Sequence, residues 1–570
     1  MPVRSEAQGI ATAAKPPNLV LLITDQQRYP CHWPEIPGWL RDLTPNQHAL
    51  QETGLTFHRA FTNTSMCSPS RATLLTGRFP AQHGVTLTHT QADLRPDIGN
   101  TPAVLGELAG MLRGPNAPRR RALRNFGRGL VQAGPKSGGE PELRPETPSL
   151  AHLLRARGYE VAYKGKWHLT HPSGGGEMLA GWTPADAERI HNDYGFAAWE
   201  PPDAGENAKA EHFGAGNAGP LGQGWDEVYT RQVEEWLGRQ DLPEPFCLVV
   251  SLVNPHDVLG YPAQYVRGGY SEDGYRDLGV TLPPTLDENL RDKPSVHELM
   301  KMGMAAYLGP LRNEDEKLEY VNFYAHLHRV IDEQIGRVIG ALGDPSDPAS
   351  LRSRTVVFRC ADHGEMGLSH GGLRQKAFNA YEETIHIPLV VSNPVLFPKA
   401  VHSDALVSLV DFLPTVGALA GARLDRQAKG RDLTPILARR ADPERGRLGR
   451  TEVDLRPITA HPSPADSVQD EIHFTYDDHQ AATALQDVPG QPNRIRAVRT
   501  EGAKFALYFD PAGKRPPEYE MYDLERDPNE SRNLVDRRTG QSLSSTDLPI
   551  RSELGQRLDR LMAVNGTAPG

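Results

Sequence analysis

The sequence predicts an α/β fold in which a large, mostly parallel β-sheet is sandwiched between helices. Continuous apolar runs at Asn18–Thr24, Phe246–Leu252, Thr355–Cys360 and Ile387–Ser392 are typical of strands that are buried on both faces. Segments with helical spacing of apolar residues lie between these runs, most clearly at Tyr320–Leu342. Strands that alternate with helices over such a length form parallel sheets with helices on both faces.

A smaller C-terminal α+β unit is also predicted. The chain has 570 residues, whereas a single core rarely grows beyond about 250–300 residues. From about Thr451 the strand-like pieces become shorter, as at Ile495–Arg499 and Lys504–Phe509, and a final helix is predicted at Ile550–Val564. We therefore predict a large α/β domain over residues 15–450. The subdomain over residues 451–570 should contain a small antiparallel sheet and the terminal helix.

Composition narrows the choice of partners and compartment. The formal net charge is −10 at pH 7, which does not favour nucleic acid or an anionic membrane as a partner, and the basic run at 113–129 is typical of a solvated insertion. No run reaches the roughly 18–20 apolar residues that span a bilayer, and no signal-peptide segment precedes Asn18.

Cys247 and Cys360 lie in apolar runs, as buried free cysteines do. We expect a cytoplasmic protein without disulfides. The oligomeric state stays open, a homo-oligomer included.

Polar side chains follow three of the predicted strands at the point where each strand ends. They are Asp25-Gln26, Asn254-Pro255-His256 and Asp362-His363. Each group alone is typical of a turn or a helix cap. Ligand sites in open α/β sheets collect at the carboxyl ends of strands, so the three groups together indicate a site at one edge of the sheet.

Five segments in a fixed order carry a family resemblance. The most specific is Cys67-Ser68-Pro69-Ser70-Arg71, which is followed by ATLLTGRFPAQHG. The others are GYEVAYKGKWHL at 158–169, NPH at 254–256, ADHGEMGLSHGGLRQKAFNAYEETIHIPLVV at 361–391 and YDLERDPNESRNL at 522–534. At these positions the sequence resembles the type I sulfatases of the alkaline phosphatase superfamily, over nearly the whole chain from Asn18 to Leu534.

The resemblance implies a chemical role for Cys67. In that family the signature cysteine is oxidised by a formylglycine-generating enzyme to an aldehyde, which hydrates to a geminal diol. One hydroxyl attacks sulfur, and deprotonation of the other re-forms the aldehyde and expels sulfate, whereas a serine would be left as a stable ester. The alternative is that Cys67 stays a thiol, either structural or nucleophilic. We expect Pro69, Ser70 and Arg71 to open a helix whose N-terminus favours a bound anion.

The resemblance also implies one divalent metal, held by Asp25, Gln26, Asp362, His363 and the modified residue 67. Many sulfatases have a second Asp where this chain has Gln26, and Asn where it has His363. These departures resemble the phosphonate monoester hydrolase and phosphodiesterase branch. Hard oxygen ligands suit calcium, while the imidazole suits a transition metal better, so we expect Ca²⁺ or Mn²⁺.

The remaining roles are implied in the same way. Arg71, Lys166 and Lys376 would surround the sulfuryl group with positive charge. His168 would serve the diol as base, and His256 would protonate the leaving group.

We therefore expect an enzyme that hydrolyses sulfate monoesters of aryl or small alkyl alcohols. Two alternatives remain, a phosphonate monoester or phosphodiester hydrolase and an inactive module that binds sulfated ligands. Sulfate monoesters and phosphate diesters both carry about one negative charge at neutral pH, so one site could turn over both. The pocket walls should come from residues 91–148, residues 173–224 and the loop after His256. In these segments Tyr194, Trp199 and Phe213 either form an aromatic wall or pack locally.

Overall fold

The computed structural model describes residues 15–90, 139–174, 178–219, 222–276, 278–442, 454–479 and 491–569. The basic run at 113–129, most of the predicted wall segment 91–148 and the predicted domain boundary at 450–451 lie outside these residues. The strands are β1 (Asn18–Asp25), β2 (Gly54–Phe61), β3 (Glu160–Gly165), β4 (Phe246–Pro255), β5 (Thr355–Ala361), β6 (His386–Ser392), β7 (Val401–Ser403), β8 (Val407–Ser408), β9 (Glu471–Tyr476), β10 (Arg494–Thr500), β11 (Ala503–Phe509) and β12 (Glu518–Asp523). The α-helices of five residues or more in the described part of the chain are Trp39–Leu43, Pro45–Glu52, Cys67–Thr76, Leu150–Arg155, Pro184–Tyr194, Trp225–Leu237, Ser295–Leu308, Glu314–Gly340, Phe412–Leu419, Thr434–Arg440 and Leu548–Asn565.

The large sheet has the strand order β3-β4-β1-β5-β6-β2-β7, and β8 pairs with β2. Strands β3, β4, β1 and β5 run parallel to one another, and β2 is parallel to β7 and β8. Strand β6 is antiparallel to both of its neighbours. The predicted α/β fold with a mostly parallel sheet is confirmed. The run Ile387–Ser392 forms the antiparallel strand of this sheet. Its direction was not predicted, because an apolar pattern indicates burial and not strand direction.

Both faces of the sheet are covered, as the sequence predicted. In β1, Leu19, Leu21 and Ile23 belong to the core on one face, while Val20 and Leu22 belong to the core on the other. Buried side chains from the helices Cys67–Thr76, Leu150–Arg155 and Phe412–Leu419 complete the first core. The helices Trp225–Leu237 and Glu314–Gly340 complete the second.

The long helix Glu314–Gly340 starts six residues before the predicted Tyr320. The side chain of Asn313 accepts a hydrogen bond from Glu316 N and caps the helix, and acidic residues occupy its first turn. That first turn is polar, so the apolar period that guided the prediction begins only at Tyr320. Among the described helices, none is long and apolar enough to cross a bilayer.

The C-terminal part contains an antiparallel sheet with the order β12-β11-β10-β9. Leu554, Leu558 and Met562 of the last helix pack on one face of this sheet. The helix spans Leu548–Asn565, close to the predicted Ile550–Val564. A bridge between Thr64 and Thr475 links this sheet to the large domain. The small antiparallel sheet and the terminal helix are therefore as predicted, while the boundary stays a prediction.

Gly165 closes β3 at a point where the chain passes very close to β4. Its φ is +99°, and a Cβ there would lie 2.0 Å from Ser251 O and 3.3 Å from the ring of Tyr229. The next residue, Lys166, donates its N–H to the same Ser251 O at 2.9 Å. A glycine is required here for both reasons, the positive φ and the missing space.

Replacing Gly165 by Ala should therefore lower the free energy of unfolding more than Gly158→Ala does. Gly158 also has a positive φ, +83°, but a Cβ at that position would meet no atom within 4 Å beyond its chain neighbours. The left-handed backbone alone should make Gly158→Ala about 1–2 kcal/mol less stable. The added clash should bring Gly165→Ala to roughly 2–5 kcal/mol. Urea unfolding with matched m-values measures both, and equal losses would contradict the proposed close approach.

Candidate active site

The ends of β1 and β5 bring two aspartates together. Asp362 donates its N–H to Thr24 O at 3.1 Å, so that the residue after β5 lies beside the end of β1 at Asp25. The carboxylate oxygen Oδ1 of Asp362 accepts hydrogen bonds from Gln26 N at 3.1 Å and from His363 N at 2.9 Å. The prediction that the strands ending at Asp25 and Asp362 are neighbours is confirmed.

Cys67 is delivered to the same place by a buried helix. The helix Cys67–Thr76 begins at Cys67 itself, two residues earlier than the predicted opening at Pro69. Pro69 is tolerated because the first-turn N–H groups have no partner within a helix. Ser70 Oγ donates to Asp362 O at 2.6 Å and so fixes the helix to the end of β5.

Four side chains now form a compact cluster. The ligand atoms of Asp25, Cys67, Asp362 and His363 all lie within 4.8 Å of one another, and all four residues are buried. His363 Nε2 is 3.2 Å from Cys67 Sγ and 3.6 Å from Oδ1 of each aspartate. His363 Nδ1 lies 3.1 Å from Gly364 O. A carbonyl oxygen only accepts, so Nδ1 carries the hydrogen and Nε2 directs a lone pair into the cluster. This is the tautomer of a metal-binding histidine, and the four groups fit a divalent cation.

The side chain of Gln26 is held by three neighbours. Lys376 Nζ donates to Gln26 Oε1 at 2.5 Å. Gln26 Nε2 donates to Glu365 Oε2 at 2.5 Å and to Gln375 Oε1 at 3.0 Å. Gln26 Oε1 has a second lone pair besides the one that accepts from Lys376, and this lone pair is open to a metal ion. The role of Gln26 as a metal ligand stays a prediction.

Buried positive charges pair with the two aspartates. Arg71 Nη2 donates to Asp25 Oδ2 at 3.1 Å, and Arg71 Nε lies 3.1 Å from Asp362 Oδ2 as an ion pair. Arg71 Nη1 also donates to Ser251 Oγ and, at 3.2 Å, to Lys166 O. Lys166 Nζ donates to Asp25 Oδ2 at 2.6 Å. Arg71 and Lys166, two of the three cations predicted to surround the sulfuryl group, therefore pair with the aspartates of the cluster.

The two aspartates differ in their tendency to ionise. Burial alone would raise the pKa of Asp25, but the charges of Lys166, His256 and Arg71 outweigh it and hold this pKa well below its usual value. Burial and the charge of Asp25 raise the pKa of Asp362 to about 7. A dication bound between them would favour the ionised form of both.

The thiol of Cys67 is poorly suited to act as a nucleophile by itself. It donates to Asp25 Oδ1 at 3.5 Å. Burial and then the charge of Asp25 raise the pKa of the thiol to about 12. A thiol with such a pKa is protonated at neutral pH, and the thiolate is the nucleophilic form.

Cys67 opens onto a pocket that His256 and Lys376 also line. The pocket contains about 440 Å³ of space not filled by atoms, part of it open to solvent. Its apolar wall consists of Met66, Ala208, Leu259, Met304, Tyr307 and Ala377. Residues from the predicted wall segment 173–224 and from the loop after His256 therefore do line the pocket. The aromatic residues Tyr194, Trp199 and Phe213 are buried in the hydrophobic cores and pack locally.

His168 lies apart from this pocket wall. Its backbone N–H donates to Asp203 Oδ2 at 2.6 Å, and its Nε2 lies 2.5 Å from His89 O. Nε2 therefore carries the hydrogen, and Nδ1 accepts no hydrogen bond from any described residue. Burial and the charge of Lys166 lower the pKa of His168 well below its usual value. The ring is a neutral base with a free lone pair, while its predicted action on residue 67 stays a prediction.

The sequence model of the family described as Sulfatase matches residues 17–114 and 117–422. The chain belongs to the sulfatase family. The resemblance drawn from the five sequence segments is thereby confirmed.

Individual relatives of this sulfatase family member are distant. It is 26% identical over 396 residues to the uncharacterized sulfatase YidJ of Escherichia coli K12, covering 66% of this chain and 63% of that protein, less than two thirds of its length. It is 22% identical over 573 residues to an N-acetylglucosamine-6-O-sulfatase of Bacteroides thetaiotaomicron, covering 91% of this chain and 83% of the relative. The structure also resembles a phosphonate monoester hydrolase from Silicibacter pomeroyi, with a TM-score of 0.57, 18% identity and 96% of each chain covered. This last likeness shows the shared fold.

Two acidic residues of this candidate site were missed by the sequence analysis. Asp203 accepts the backbone N–H groups of Trp167 and His168 at 2.8 and 2.6 Å, and Glu206 lines the pocket. Both lie in a loop rich in Pro, Gly and polar residues, without the periodicity of a strand or helix. The only local signal is that of turn residues, which does not distinguish a site from a connection.

The donor set predicts a metal whose identity depends on His363. We expect the purified protein to contain Ca²⁺ or, with the better fit to an imidazole ligand, Mn²⁺. The change His363→Asn replaces a nitrogen ligand by an amide oxygen and should shift the bound metal towards Ca²⁺. Elemental analysis after dialysis against equal concentrations of both ions measures this shift. His256→Asn is the matched control, since His256 lines the pocket outside the four-residue cluster, and it should leave the metal ratio unchanged. Equal metal ratios in wild type and His363→Asn would show that His363 does not set the choice.

Proposed function

We propose that this protein hydrolyses sulfate monoesters with a formylglycine nucleophile derived from Cys67. The observation that carries the proposal is the position of Cys67. It begins a buried helix, lies against Asp25 and His363, and lines a pocket together with His256 and Lys376. The unmodified thiol is the less favoured alternative, because its pKa of about 12 keeps it protonated.

Three cations would compensate the charge of the sulfuryl group. Arg71 and Lys166 are buried beside the cluster, and Lys376 lines the pocket. Their hydrogen bonds to Asp25 and Gln26 fix them in place before a substrate arrives. Donors that are held in advance stabilise developing charge without reorganising during the reaction.

His256 is the proposed proton donor to the leaving oxygen. Burial and the charge of Lys166 lower its pKa well below the usual value. A bound sulfate ester brings negative charge to the pocket that His256 lines, which opposes the effect of Lys166 and favours the protonated ring.

A divalent metal would be held by Asp25, Asp362, His363 and residue 67, with Gln26 as a further ligand. When bound, it would supply Lewis-acid polarisation of a sulfate oxygen and lower the pKa of a hydroxyl on residue 67. The formylglycine, installed by a formylglycine-generating enzyme, would supply a nucleophile that can release sulfate. We assign His168 as the base because its neutral ring keeps a free lone pair on Nδ1.

We propose a compact aryl or small alkyl alcohol as the leaving group. The wall of the pocket beside Cys67 is largely apolar, which suits the carbon skeleton of such an alcohol. One relative is named as an N-acetylglucosamine-6-O-sulfatase, which supports sulfate-ester hydrolysis in general.

A second candidate function is hydrolysis of phosphonate monoesters or phosphate diesters. Gln26 and His363 favour it, because this pair of residues resembles that branch of the superfamily. Such esters also carry about one negative charge, so the same three cations would suit them.

A panel of chromogenic esters should separate these functions. We expect kcat/KM to be highest for 4-nitrophenyl sulfate, above bis(4-nitrophenyl) phosphate and 4-nitrophenyl phenylphosphonate. Cys67→Ala, assayed at equal concentration, gives the background. If a phosphorus ester is preferred, the second candidate is correct. If the protein binds the esters and hydrolyses none, it is a binding module.

The modification of Cys67 can be tested directly by mass. A peptide that contains residue 67 should weigh less than the encoded one, because sulfur is lost and a carbonyl oxygen is gained, and it should react with hydrazides. Cys67→Ser should keep the fold and become covalently sulfated after about one turnover, since serine lacks the second hydroxyl that expels sulfate. Cys67→Ala should bind substrate without reacting. Equal turnover by protein whose thiol is confirmed unmodified would rule out the formylglycine mechanism.

A further inference from the structure

Glu206 is an unusual side chain in the wall of the pocket. It is 2% exposed, and it lines the same pocket as Cys67 and Lys376. Apart from the neighbouring carboxyl group of Asp203, with which its side chain is in hydrogen-bond contact, no described residue donates to its carboxylate oxygens. Two buried carboxyl groups in contact do not both ionise, so Glu206 and Asp203 share one proton when no cation is bound beside them. A ligand cation that enters the pocket would take the place of that proton.

The neighbouring carboxylate, Asp203, takes the available donors. It accepts Trp167 N at 2.8 Å and His168 N at 2.6 Å. Burial, and then the charge of Asp203, raise the pKa of Glu206 well above its usual value. Two carboxyl groups thus share a buried site in which only Asp203 is hydrogen-bonded by the backbone, and a proton between the two groups occupies the place that a cation could take.

The nearby lysine is already committed elsewhere. Lys166 Nζ donates to Asp25 Oδ2 at 2.6 Å and also to Gly205 O. A further carboxylate, Glu140, adds negative charge near Glu206. Its oxygens accept hydrogen bonds from the N–H and the hydroxyl of Thr90 at 2.9 and 2.7 Å. The pocket therefore has a cationic part at Lys376 and an acidic part at Glu206.

We propose that Glu206 binds a primary ammonium group on the alcohol part of the ester, so that the preferred substrates are sulfate esters of amino alcohols. This inference rests on the proposed sulfatase function and adds a substrate class to it. The sulfate would lie among the cations, and the ammonium group would lie against the carboxyl oxygens of Glu206 in place of the shared proton. Ala208, Leu259 and Met304 supply apolar contact for the methylene groups between them.

An ammonium group on the ligand fits the surroundings of Glu206 better than a hydroxyl group does. Both can donate to Glu206, but only the ammonium group brings a positive charge beside Asp203 and Glu140 that can replace the shared proton. The ammonium group also has three donors, which allows it to reach both oxygens of Glu206 at once.

The test compares 2-aminoethyl sulfate with propyl sulfate, which differ only by NH₃⁺ in place of CH₃. Binding is measured by calorimetry on the full-length Cys67→Ala protein, which should not react. We expect 2-aminoethyl sulfate to bind at least about tenfold more tightly, a difference of about 1.4 kcal/mol. The added change Glu206→Gln should bring the ratio of the two dissociation constants close to one. Glu140→Gln is the matched control and should keep most of the preference, because hydrogen bonds from Thr90 already satisfy that carboxylate.

Equal affinities for the two esters in the Cys67→Ala protein would overturn the inference without any need for a Glu206 variant. So would a preference that persists in Glu206→Gln after its fold is confirmed by circular dichroism. 2-Hydroxyethyl sulfate is the third ligand, and affinity equal to that of 2-aminoethyl sulfate would show that Glu206 selects a hydroxyl donor and not a cation. Turnover of 4-nitrophenyl sulfate by the unmutated protein reports separately on the proposed function. The two ideas can therefore fail independently.

Discussion

The candidate site depends on the buried guanidinium of Arg71 between two buried aspartates. Asp25 and Asp362 end neighbouring parallel strands, and their charges would repel each other without a cation between them. Removing one member of such a buried set typically destabilises a protein by about 3–5 kcal/mol, because the remaining charge is left unpaired. Arg71 lies one turn after Cys67 on the same helix. The ion pairs that stabilise the strand ends therefore also fix the position of the proposed nucleophile.

Much of this arrangement could be predicted from the sequence, since short local sequence patterns encode it. Apolar runs such as Asn18–Thr24 mark buried strands, and the polar residue that follows each run marks the strand end. Residues Asp25, Asp362 and Cys67 were found in this way or through the signature around Cys67. The direction of β6 was not predictable, because it depends on its pairing with β2 and β5, which a local pattern does not encode.

The acidic part of the pocket escaped prediction for a related reason. Asp203 and Glu206 lie in an irregular loop, and their importance comes from contacts with distant residues. Asp203 is significant because it accepts the N–H groups that follow β3, at Trp167 and His168. Glu206 is significant because it lines the pocket and shares a buried site with the carboxyl group of Asp203. Neither property is visible in the amino-acid type, and both require the folded chain.

The neighbours of Gln26 favour an amide over the aspartate that many sulfatases have at this position. Glu365 Oε2 accepts from Gln26 Nε2 at 2.5 Å, while Tyr320 donates to Glu365 Oε1 at 2.6 Å. An aspartate at position 26 would place a second carboxylate near Glu365, where the amide now donates. It would also pair with Lys376, whose amine is bound to the neutral oxygen of Gln26 at 2.5 Å. With glutamine, the charge of Lys376 is not cancelled by residue 26 and stays available to an anion in the pocket. Gln26 therefore matches both the fixed Glu365 and an anionic substrate.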